Sequence, residues 1–463
     1  MDDRFAALDR AHAHAAHFLG SLDSRPVWPR ATMDEMTRAL GGPLARAGLP
    51  AGQVVDELAS AADPGLVAIP GGRFFGFVIG GALPAALAAD WLTSVWDQNS
   101  GLTSMSPAAA AAEVVAGRWL LDLFGLPEGG SVGFVTGGQM ANFSCLAAAR
   151  HSVLAKAGWD VAERGMSGSP RIRLVVGDDR HDTIDRAARY LGLGRENVVP
   201  VRSDAEGRMS ADALASTLDE GAGPVIVCLQ AGEVHTGAFD AFGPLIEIAR
   251  RHGAWVHVDG VFGLWARAAA STRGLIAEVE GADSWSTDAH KTLNVPYDSG
   301  IAIVADPTWS RAAFGVEADY LITVRDDPFE RTPEFSRRAR GFPVWAALRS
   351  LGTDGVAALV ERLCSNARRM AGGLRAIDGV DVVNDVAFTQ VLLRCGDDET
   401  TRELGRRVLA DGTCVVTPAE WRGRAVQRCS MSSWRTTEAD IDASVGAIGR
   451  ILSGLHGSRR ISH

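Results

Sequence analysis

Short apolar runs of strand character recur through the middle of the chain, and each is followed by polar residues or glycine. Between about residues 85 and 345, these runs alternate with stretches of helical periodicity, which predicts a mostly parallel sheet covered by helices. Earlier residues predict helices interrupted by prolines, and later residues predict a smaller α+β unit. We therefore expect a helical arm over 1–84, an α/β domain over 85–345 and a C-terminal α+β domain over 346–463.

Charged side chains stand at the ends of two of the predicted strands. One apolar run ends at Asp259 and a glycine, and a second strand, 283–288, leads into His290 and Lys291. The carboxyl ends of parallel strands lie at one edge of a sheet, where α/β proteins bind ligands, so we expect these groups to meet. Taken alone, a His-Lys pair is more commonly an exposed basic pair in a loop.

A glycine turn lies between a predicted strand and an alanine-rich helix, within residues 133–142. The backbone amides of Gly138, Gln139 and Met140, together with the helix dipole, suit an anion such as phosphate. A tight turn without a ligand is an equal alternative. Because no Walker lysine follows and no GxGxxG sequence occurs, nucleotide binding is disfavoured.

Two histidines are expected at the same edge of the sheet. One predicted strand ends just before His181, and another leads into a loop that contains His235. After the first histidine a helix is predicted, with Asp182 or Thr183 as its N-cap.

Three segments together resemble the group II pyridoxal-phosphate-dependent amino-acid decarboxylases, the family of the aromatic-amino-acid and glutamate decarboxylases. They are the strand end His-Val-Asp259, the loop Asp288-Ala-His290-Lys291 and the segment 176–181 that ends at His181. The resemblance extends from roughly residue 70 to residue 445. It implies the aspartate-aminotransferase fold (fold type I), an α/β fold with a seven-stranded, mostly parallel sheet in its large domain.

The resemblance also implies the chemistry of the site. Lys291 would hold pyridoxal 5'-phosphate as an imine, Asp259 would pair with the pyridine nitrogen, and His181 would stack on the ring. The neighbouring Asp288 and His290 would also bind the cofactor.

One loop departs from the family pattern. Many relatives have threonines where this chain has Val234 and His235, in a loop that touches the cofactor. His235 is therefore a candidate for the hydrogen bond that a threonine would otherwise make.

Decarboxylation of an L-amino acid at Lys291 is the leading hypothesis. Relatives carry a tyrosine in a mobile loop, but the corresponding stretch here, 321–335, contains none. Either Tyr320 substitutes for it or the outcome differs. An aminotransferase, or a decarboxylation-dependent oxidative deamination that gives an aldehyde, is the alternative. A non-catalytic relative is a third hypothesis, against which the retained Lys291, Asp259 and His181 argue.

The resemblance predicts a homodimer with shared active sites, in which the N-terminal arm wraps the partner subunit. Aromatic residues between 73 and 99 match a region that lines the family's pocket, and core packing accounts for them equally well. The basic segment 336–340 matches a family segment near the subunit interface. There, Arg337 or Arg338 is a candidate ligand for a phosphate or a substrate carboxylate, although such a run is more commonly a solvated face.

Composition narrows the possible partners and compartments. The formal net charge is −10, which leaves no basic surface for nucleic acid or an anionic membrane. Residues 74–96 are apolar but interrupted by a proline and an aspartate, so we expect no membrane span. Six cysteines without CxxC spacing favour a reducing cytoplasm and no structural metal, and the N-terminus shows no signal peptide.

Overall fold

The computed structural model describes residues 3–316 and 327–461. Its β-strands are β1 (Ser131–Val135), β2 (Arg173–Gly177), β3 (Val198–Val201), β4 (Val225–Gln230), β5 (Trp255–Asp259), β6 (Ser284–Asp288), β7 (Gly300–Val304), β8 (Val380–Val382), β9 (Gln390–Cys395), β10 (Thr417–Trp421) and β11 (Arg424–Ser430). Its α-helices are α1 (Asp3–Ser21), α2 (Met33–Leu40), α3 (Ala51–Ala62), α4 (Pro84–Trp96), α5 (Pro107–Phe124), α6 (Gly138–Lys156), α7 (Val161–Arg164), α8 (Asp182–Tyr190), α9 (Ala211–Asp219), α10 (Phe242–Arg251), α11 (Pro307–Phe314), α12 (Gly341–Arg375), α13 (Asp398–Asp411) and α14 (Glu438–Ile461).

The first seven strands form one sheet in the order β1-β7-β6-β5-β4-β2-β3. Strands β3, β2, β4, β5 and β6 run parallel, whereas β7 runs antiparallel to both β6 and β1. The predicted seven-stranded, mostly parallel sheet is confirmed. The direction of β7 could not be predicted from the alternation of strands and helices, because an antiparallel neighbour needs only a short connection.

The central strands are buried on both faces. Every residue of β4, β5 and β6 is buried, and α6 packs over β5, β6 and β7. The register pairs Asp259 with Gln230 on one side and with Ser286 on the other. The carboxyl ends of these three strands therefore bring Gln230, Asp259 and Ser286 side by side.

A second, antiparallel sheet lies in the C-terminal part of the chain, in the order β10-β11-β9-β8. Helices α12, α13 and α14 pack around it. Helix α12 changes direction at Gly352, whose φ of 63° is in the left-handed region that favours glycine. Since α12 also runs across residue 345, the boundary between the predicted second and third segments stays a prediction.

The N-terminal helices leave large apolar side chains exposed. Helices α1 and α3 pack against each other. Exposed apolar residues along these helices and α4 include Phe5, Leu8, Val54, Leu58, Trp91 and Val95. A surface of this kind is typical of protein–protein contact. The extent of the predicted arm, 1–84, stays a prediction.

In the described part of the chain, no helix combines the length and the apolar character that crossing a lipid bilayer requires. All six cysteines are buried and none forms a disulfide. Within the same residues, no group of three or more His, Cys, Asp or Glu side chains is arranged to hold a metal ion.

Candidate active site

A cavity of about 320 Å³ opens at the carboxyl ends of the central strands. Its lining includes Phe77, His181, His235, Asp259, Lys291 and Arg428. The wall of the cavity is formed by the ends of the central strands, by two loops and by one strand of the second sheet. The structure thus brings four of the residues singled out in the sequence into one space.

One carboxylate links the lysine and the histidine of the sequence motif. Oδ2 of Asp288 lies 3.2 Å from Nζ of Lys291 and 3.4 Å from Nε2 of His290. Nδ1 of His290 accepts the backbone N–H of Ser299, so the ring proton lies on Nε2 and faces Asp288. Burial lowers the pKa of His290, and the ring of Tyr297 stacks on it with 4.1 Å between centroids. Asp288 therefore orients both motif residues.

Asp259 is the last residue of β5 and is 5% exposed. Its Oδ2 accepts a hydrogen bond of 3.1 Å from Nδ2 of Asn142, and Oγ of Ser286 lies 3.5 Å from its Oδ1. The side chains of Asn142 and Ser286 position the carboxylate of Asp259, which also lines the cavity. This arrangement suits a cationic partner such as a protonated ring nitrogen.

The glycine turn before α6 packs tightly against two neighbouring loops. A Cβ on Gly137 would lie 3.1 Å from Cε1 of His290, and one on Gly138 would lie 2.6 Å from a methyl carbon of Val261. A side chain at Gly138 would therefore collide with its neighbour, which explains the glycine there. The turn also sits next to the loop that carries Lys291.

Helix α6 offers backbone donors beside unpaired polar atoms. Because Gly137 has no side chain to cap the helix, the amides of Gly138 and Gln139 stay available to an anion, whereas that of Met140 donates to the carbonyl of Gly137 at 2.9 Å. Oε1 of Gln139 and Oδ1 of Asp288 are buried without a hydrogen-bond partner among the described residues. Unsatisfied atoms of this kind are expected where a ligand binds.

The side chain of His181 caps α8. Its Nδ1 accepts the backbone N–H of Thr183 at 3.2 Å and lies 2.9 Å from the hydroxyl of the same residue. The predicted caps, Asp182 and Thr183, are therefore wrong, since an imidazole nitrogen accepts the bond that a Ser, Asp or Asn oxygen usually accepts. Desolvation by the cavity wall lowers the pKa of His181, although much of its surface stays exposed.

A buried carboxylate holds the loop after β4. Oε2 of Glu233 accepts the backbone N–H groups of His235 and Thr236, each at 2.7 Å. Burial raises the pKa of Glu233 to about 7 and lowers that of His235 to about 4. His235 is thus a neutral ring in the cavity wall, 5.4 Å from the ring of Trp421. Its buried Nδ1 has no hydrogen-bond partner in the described chain.

Arg428, on β11, is the main cavity residue that the sequence analysis missed. It is 6% exposed, and its Nη1 donates to the carbonyl of Val234 at 3.1 Å. Its Nε has no hydrogen-bond partner within residues 3–316 and 327–461. Burial lowers the pKa of Arg428 and nearby Glu233 opposes this, while a guanidinium in a protein stays charged. The cavity therefore contains a fixed cation besides Lys291.

The predicted ligand role of Arg337 or Arg338 is wrong. Arg337 forms a buried, bidentate ion pair with Glu113, at 2.6 and 2.8 Å. Arg338 pairs with Asp90 at 2.7 Å. Both guanidinium groups are committed to protein carboxylates, so neither is placed to bind a phosphate or a substrate.

Part of the tyrosine-free stretch can be located. Tyr320 and residues 321–326 lie outside the described residues. The remainder, 327–335, packs on the large domain, where the buried ring of Phe329 stacks on Phe335 with 4.8 Å between centroids. Substitution of the loop tyrosine by Tyr320 therefore stays a prediction.

The chain matches the family model described as the pyridoxal-dependent decarboxylase conserved domain over residues 47–395. Among curated proteins, the acidic amino acid decarboxylase GADL1 of Mus musculus is 28% identical over 330 residues, which cover 69% of this chain and 59% of that protein. The match thus spans about three fifths of that relative's length. Tryptophan decarboxylase 1 of Oryza sativa subsp. japonica is 28% identical over 471 residues, covering 93% of this chain and 90% of that protein.

Solved structures share the fold over nearly the whole chain. Oryza sativa TDC with pyridoxal phosphate and tryptamine has a TM-score of 0.91 at 24% identity and covers 98% of both chains. The 4-hydroxyphenylacetaldehyde synthase of Rhodiola rosea has a TM-score of 0.86 at 24% identity, covering 96% of both. These likenesses confirm the predicted fold type I. Because the family model matches more than half of the sequence, the chain belongs to the pyridoxal-dependent decarboxylase family, whose cofactor is pyridoxal phosphate, as its motifs predicted.

Proposed function

We propose that this protein is a pyridoxal-phosphate-dependent decarboxylase of an L-amino acid. The observation that carries the proposal is the convergence of Lys291, Asp259 and Arg428 on one cavity. An amine for covalent attachment, a carboxylate for the ring nitrogen and a cation for the substrate carboxylate are the groups that this chemistry uses.

The residues around the cavity fit the cofactor. The glycine turn leaves the amides of Gly138 and Gln139 for a phosphate, and Oγ of Ser299 is a buried hydroxyl with no hydrogen-bond partner in the described residues. His290 and Asp288 border the turn and the lysine. When bound, pyridoxal phosphate supplies an electron sink for the pair released from a bond at the substrate's Cα.

Three residues are assigned roles around the reacting atoms. Lys291 would hold the cofactor through Nζ, and its amine, when free, would move a proton near the substrate's Cα. Asp259 holds the pyridine nitrogen in its protonated form through charge. His181, whose Nδ1 accepts the backbone N–H of Thr183, would pack on the cofactor and offer the N–H of Nε2 to the substrate.

Arg428 is the proposed ligand of the substrate carboxylate. The Val234 carbonyl fixes one of its nitrogen atoms, and the buried Glu233 lies close enough to offset part of its charge. By holding the carboxylate at a fixed point, Arg428 would determine the orientation of the bonds at Cα and hence which of them breaks. Neutral His235 adds an uncharged hydrogen-bonding group to the same wall.

We propose a homodimer in which the partner subunit completes the site. Phe77 borders the cavity and is 58% exposed, and Tyr297, stacked on His290, is 55% exposed. Trp91 and Trp96 on α4 are exposed as well. Large apolar side chains beside a ligand site are expected where a subunit interface covers them.

A cytoplasmic location is proposed on the basis of the thiols. All six cysteines are buried and none is paired in a disulfide, which is the pattern expected in a reducing compartment. Cell fractionation tests this, and recovery of the protein outside the cytoplasm would contradict it.

An aldehyde-forming oxidative deamination is the second candidate, because residues 321–335 contain no tyrosine. The deciding experiment incubates the holoenzyme with a panel of L-amino acids and quantifies carbon dioxide, amine, aldehyde, ammonia and oxygen uptake. Decarboxylation predicts amine and carbon dioxide in equal amounts without oxygen uptake. Aldehyde and ammonia with oxygen uptake would support the second candidate. In a parallel incubation that supplies a 2-oxo acid as amino acceptor, conversion of the L-amino acid into its own 2-oxo acid without carbon dioxide would indicate transamination. Absence of turnover by cofactor-loaded protein would favour a non-catalytic relative.

A further inference from the structure

A buried chain of hydrogen bonds lies behind Asp259, and the proposed function does not use it. Its members lie on β5, on β6 and on α6, and each is at most 3% exposed: Trp255, His257, Ser284, Ser286 and Asn142. Alternation along β5 places Trp255, His257 and Asp259 on one face of the strand. Buried polar groups require hydrogen-bond partners, so each of these side chains has to act as the donor or the acceptor that its neighbour needs.

Trp255 leaves the hydroxyl proton of Ser284 available to His257. Its indole N–H can only donate, and it does so to Oγ of Ser284 at 2.9 Å. The hydroxyl proton of Ser284 is then free to point at Nδ1 of His257, 3.0 Å away. Cys145 also lies beside Ser284, but sulfur is the weaker acceptor.

The position of the ring proton on His257 determines which atom of the Asn142 amide faces the ring. Burial lowers the pKa of His257 to about 4, so the ring carries a single proton at neutral pH. When the Ser284 hydroxyl donates to Nδ1, that proton lies on Nε2. Nε2 donates to Oδ1 of Asn142 at 2.9 Å, and Ser286 donates to the same oxygen at 2.6 Å. With two donors on its oxygen, the amide has to present its nitrogen on the other side.

The amide nitrogen of Asn142 serves two groups of the site. Nδ2 donates to Oδ2 of Asp259 at 3.1 Å and to Oγ1 of Thr183 at 3.2 Å. Having accepted that bond, the Thr183 hydroxyl gives its own proton to Nδ1 of His181 at 2.9 Å. This leaves the ring proton of His181 on Nε2.

The reversed arrangement of donors and acceptors is unfavourable beside Asp259. The backbone carbonyl of Ser284 also faces the His257 ring, which offers a place for a proton on Nδ1. Nε2 would then be an acceptor, and Asn142 would have to turn over to donate to it. That turn would bring the amide oxygen against the Asp259 carboxylate at the 3.1 Å separation, where two acceptors repel each other.

We propose that His257 is a positioning residue that, with Trp255 and Ser284 behind it, holds the Asn142 amide in a single orientation. In this orientation one amide sets the hydrogen bonding of both Asp259 and His181. The inference rests on the proposed function, because it takes the cofactor to occupy the cavity that these two residues line.

The test measures pyridoxal phosphate binding to the apoprotein. His257→Leu removes the donor to Asn142, whereas His257→Gln keeps an N–H group near the position of Nε2. We expect the dissociation constant to rise roughly 10- to 100-fold in the leucine variant, the usual loss for a hydrogen bond to a charged group, and to stay within about threefold in the glutamine variant. The thermal midpoint of each apoprotein reports whether the variant is folded.

A double-mutant cycle separates positioning from general packing. In an Asn142→Ala background, His257→Leu should weaken cofactor binding by less than about twofold, because His257 acts on the site through Asn142. Equal losses in both backgrounds would overturn the inference, as would unchanged affinity in a folded His257→Leu protein. If that protein does not fold, Ser284→Ala takes its place, with an expected loss of roughly 3- to 10-fold and the same two refuting outcomes.

The two proposals fail in different ways. Wild-type protein that does not bind pyridoxal phosphate would refute the proposed function. Wild-type protein that binds it, with variants that bind it equally well, would refute only the positioning role of His257.

Discussion

Nζ of Lys291 lies 3.2 Å from Oδ2 of Asp288, a carboxylate that is almost completely buried. The same oxygen is 3.4 Å from Nε2 of His290. The aspartate, histidine and lysine of the motif therefore form one electrostatic unit, in which the amine partly neutralises a carboxylate that has left water.

Removing the amine should destabilise the apoprotein. We expect Lys291→Ala to lower the free energy of unfolding by about 1–3 kcal/mol, because Asp288 loses its cationic partner. Lys291→Arg keeps a cation there and should lose less. Urea unfolding of the apoproteins measures both. Lys156, the only other lysine in the sequence, is exposed, so Lys156→Ala is the matched control. Equal stabilities for the two alanine variants would contradict the pairing.

Loss of the Arg428 guanidinium should weaken substrate binding. We expect Arg428→Gln to lower kcat/KM by roughly 10- to 100-fold, mainly through KM, since a charge-assisted hydrogen bond is removed. Steady-state kinetics on the substrate identified by the amino-acid panel measures this. Arg424 lies exposed on the same strand, and Arg424→Gln should leave KM unchanged. An unaltered KM for Arg428→Gln would exclude the proposed carboxylate contact.

Glu233 should make stability depend on pH. Burial raises its pKa to about 7, so folding takes up a proton between about pH 4.5 and pH 7, and stability from this residue is lost as the pH rises through that window. Relative to Glu233→Gln, we expect the wild type to be more stable at pH 5 than at pH 8 by about 2–3 kcal/mol. Denaturant unfolding at both pH values tests this, with the exposed Glu420→Gln as control. A pH-independent difference would show that Glu233 does not titrate in this range.

The buried ion pair should matter more than its exposed neighbour. Glu113→Gln leaves the Arg337 guanidinium without its counter-ion, and we expect a loss of about 3–5 kcal/mol in unfolding free energy. Arg338→Gln breaks a half-exposed pair and should cost less than about 1 kcal/mol. Similar losses in the two variants would mean that burial does not distinguish these pairs.

Site residues at or just after the end of a predicted strand could be identified from the sequence. Asp259 ends one predicted strand and Lys291 follows another, and the ends of these strands share one sheet edge, so their meeting in space follows from the architecture. The turn at Gly138 could be found because a glycine pair between an apolar run and an alanine-rich helix is typical of a tight strand-to-helix connection. In each case the signal lies within a few residues of the functional group.

Residues whose partners are distant in the sequence could not be found in this way. Arg428 reaches the cavity because β11 of the second sheet lies against the loop after β4, which no local pattern indicates. Arg337 has a local charge pattern typical of a solvated face, yet its partner Glu113 lies buried on a distant helix. The cap of α8 was misplaced because His181 uses a ring nitrogen in place of an oxygen.

Borohydride reduction of the cofactor-loaded protein, followed by peptide mapping, tests the central claim most directly. The chain has two lysines, Lys291 in the cavity and Lys156 at the end of α6, so the site of attachment has few alternatives. We predict the reduced pyridoxyl group on the peptide that contains Lys291 and no covalent label in Lys291→Ala. Label on Lys156 or on the N-terminal amine of wild-type protein, or full labelling of Lys291→Ala, would contradict the account.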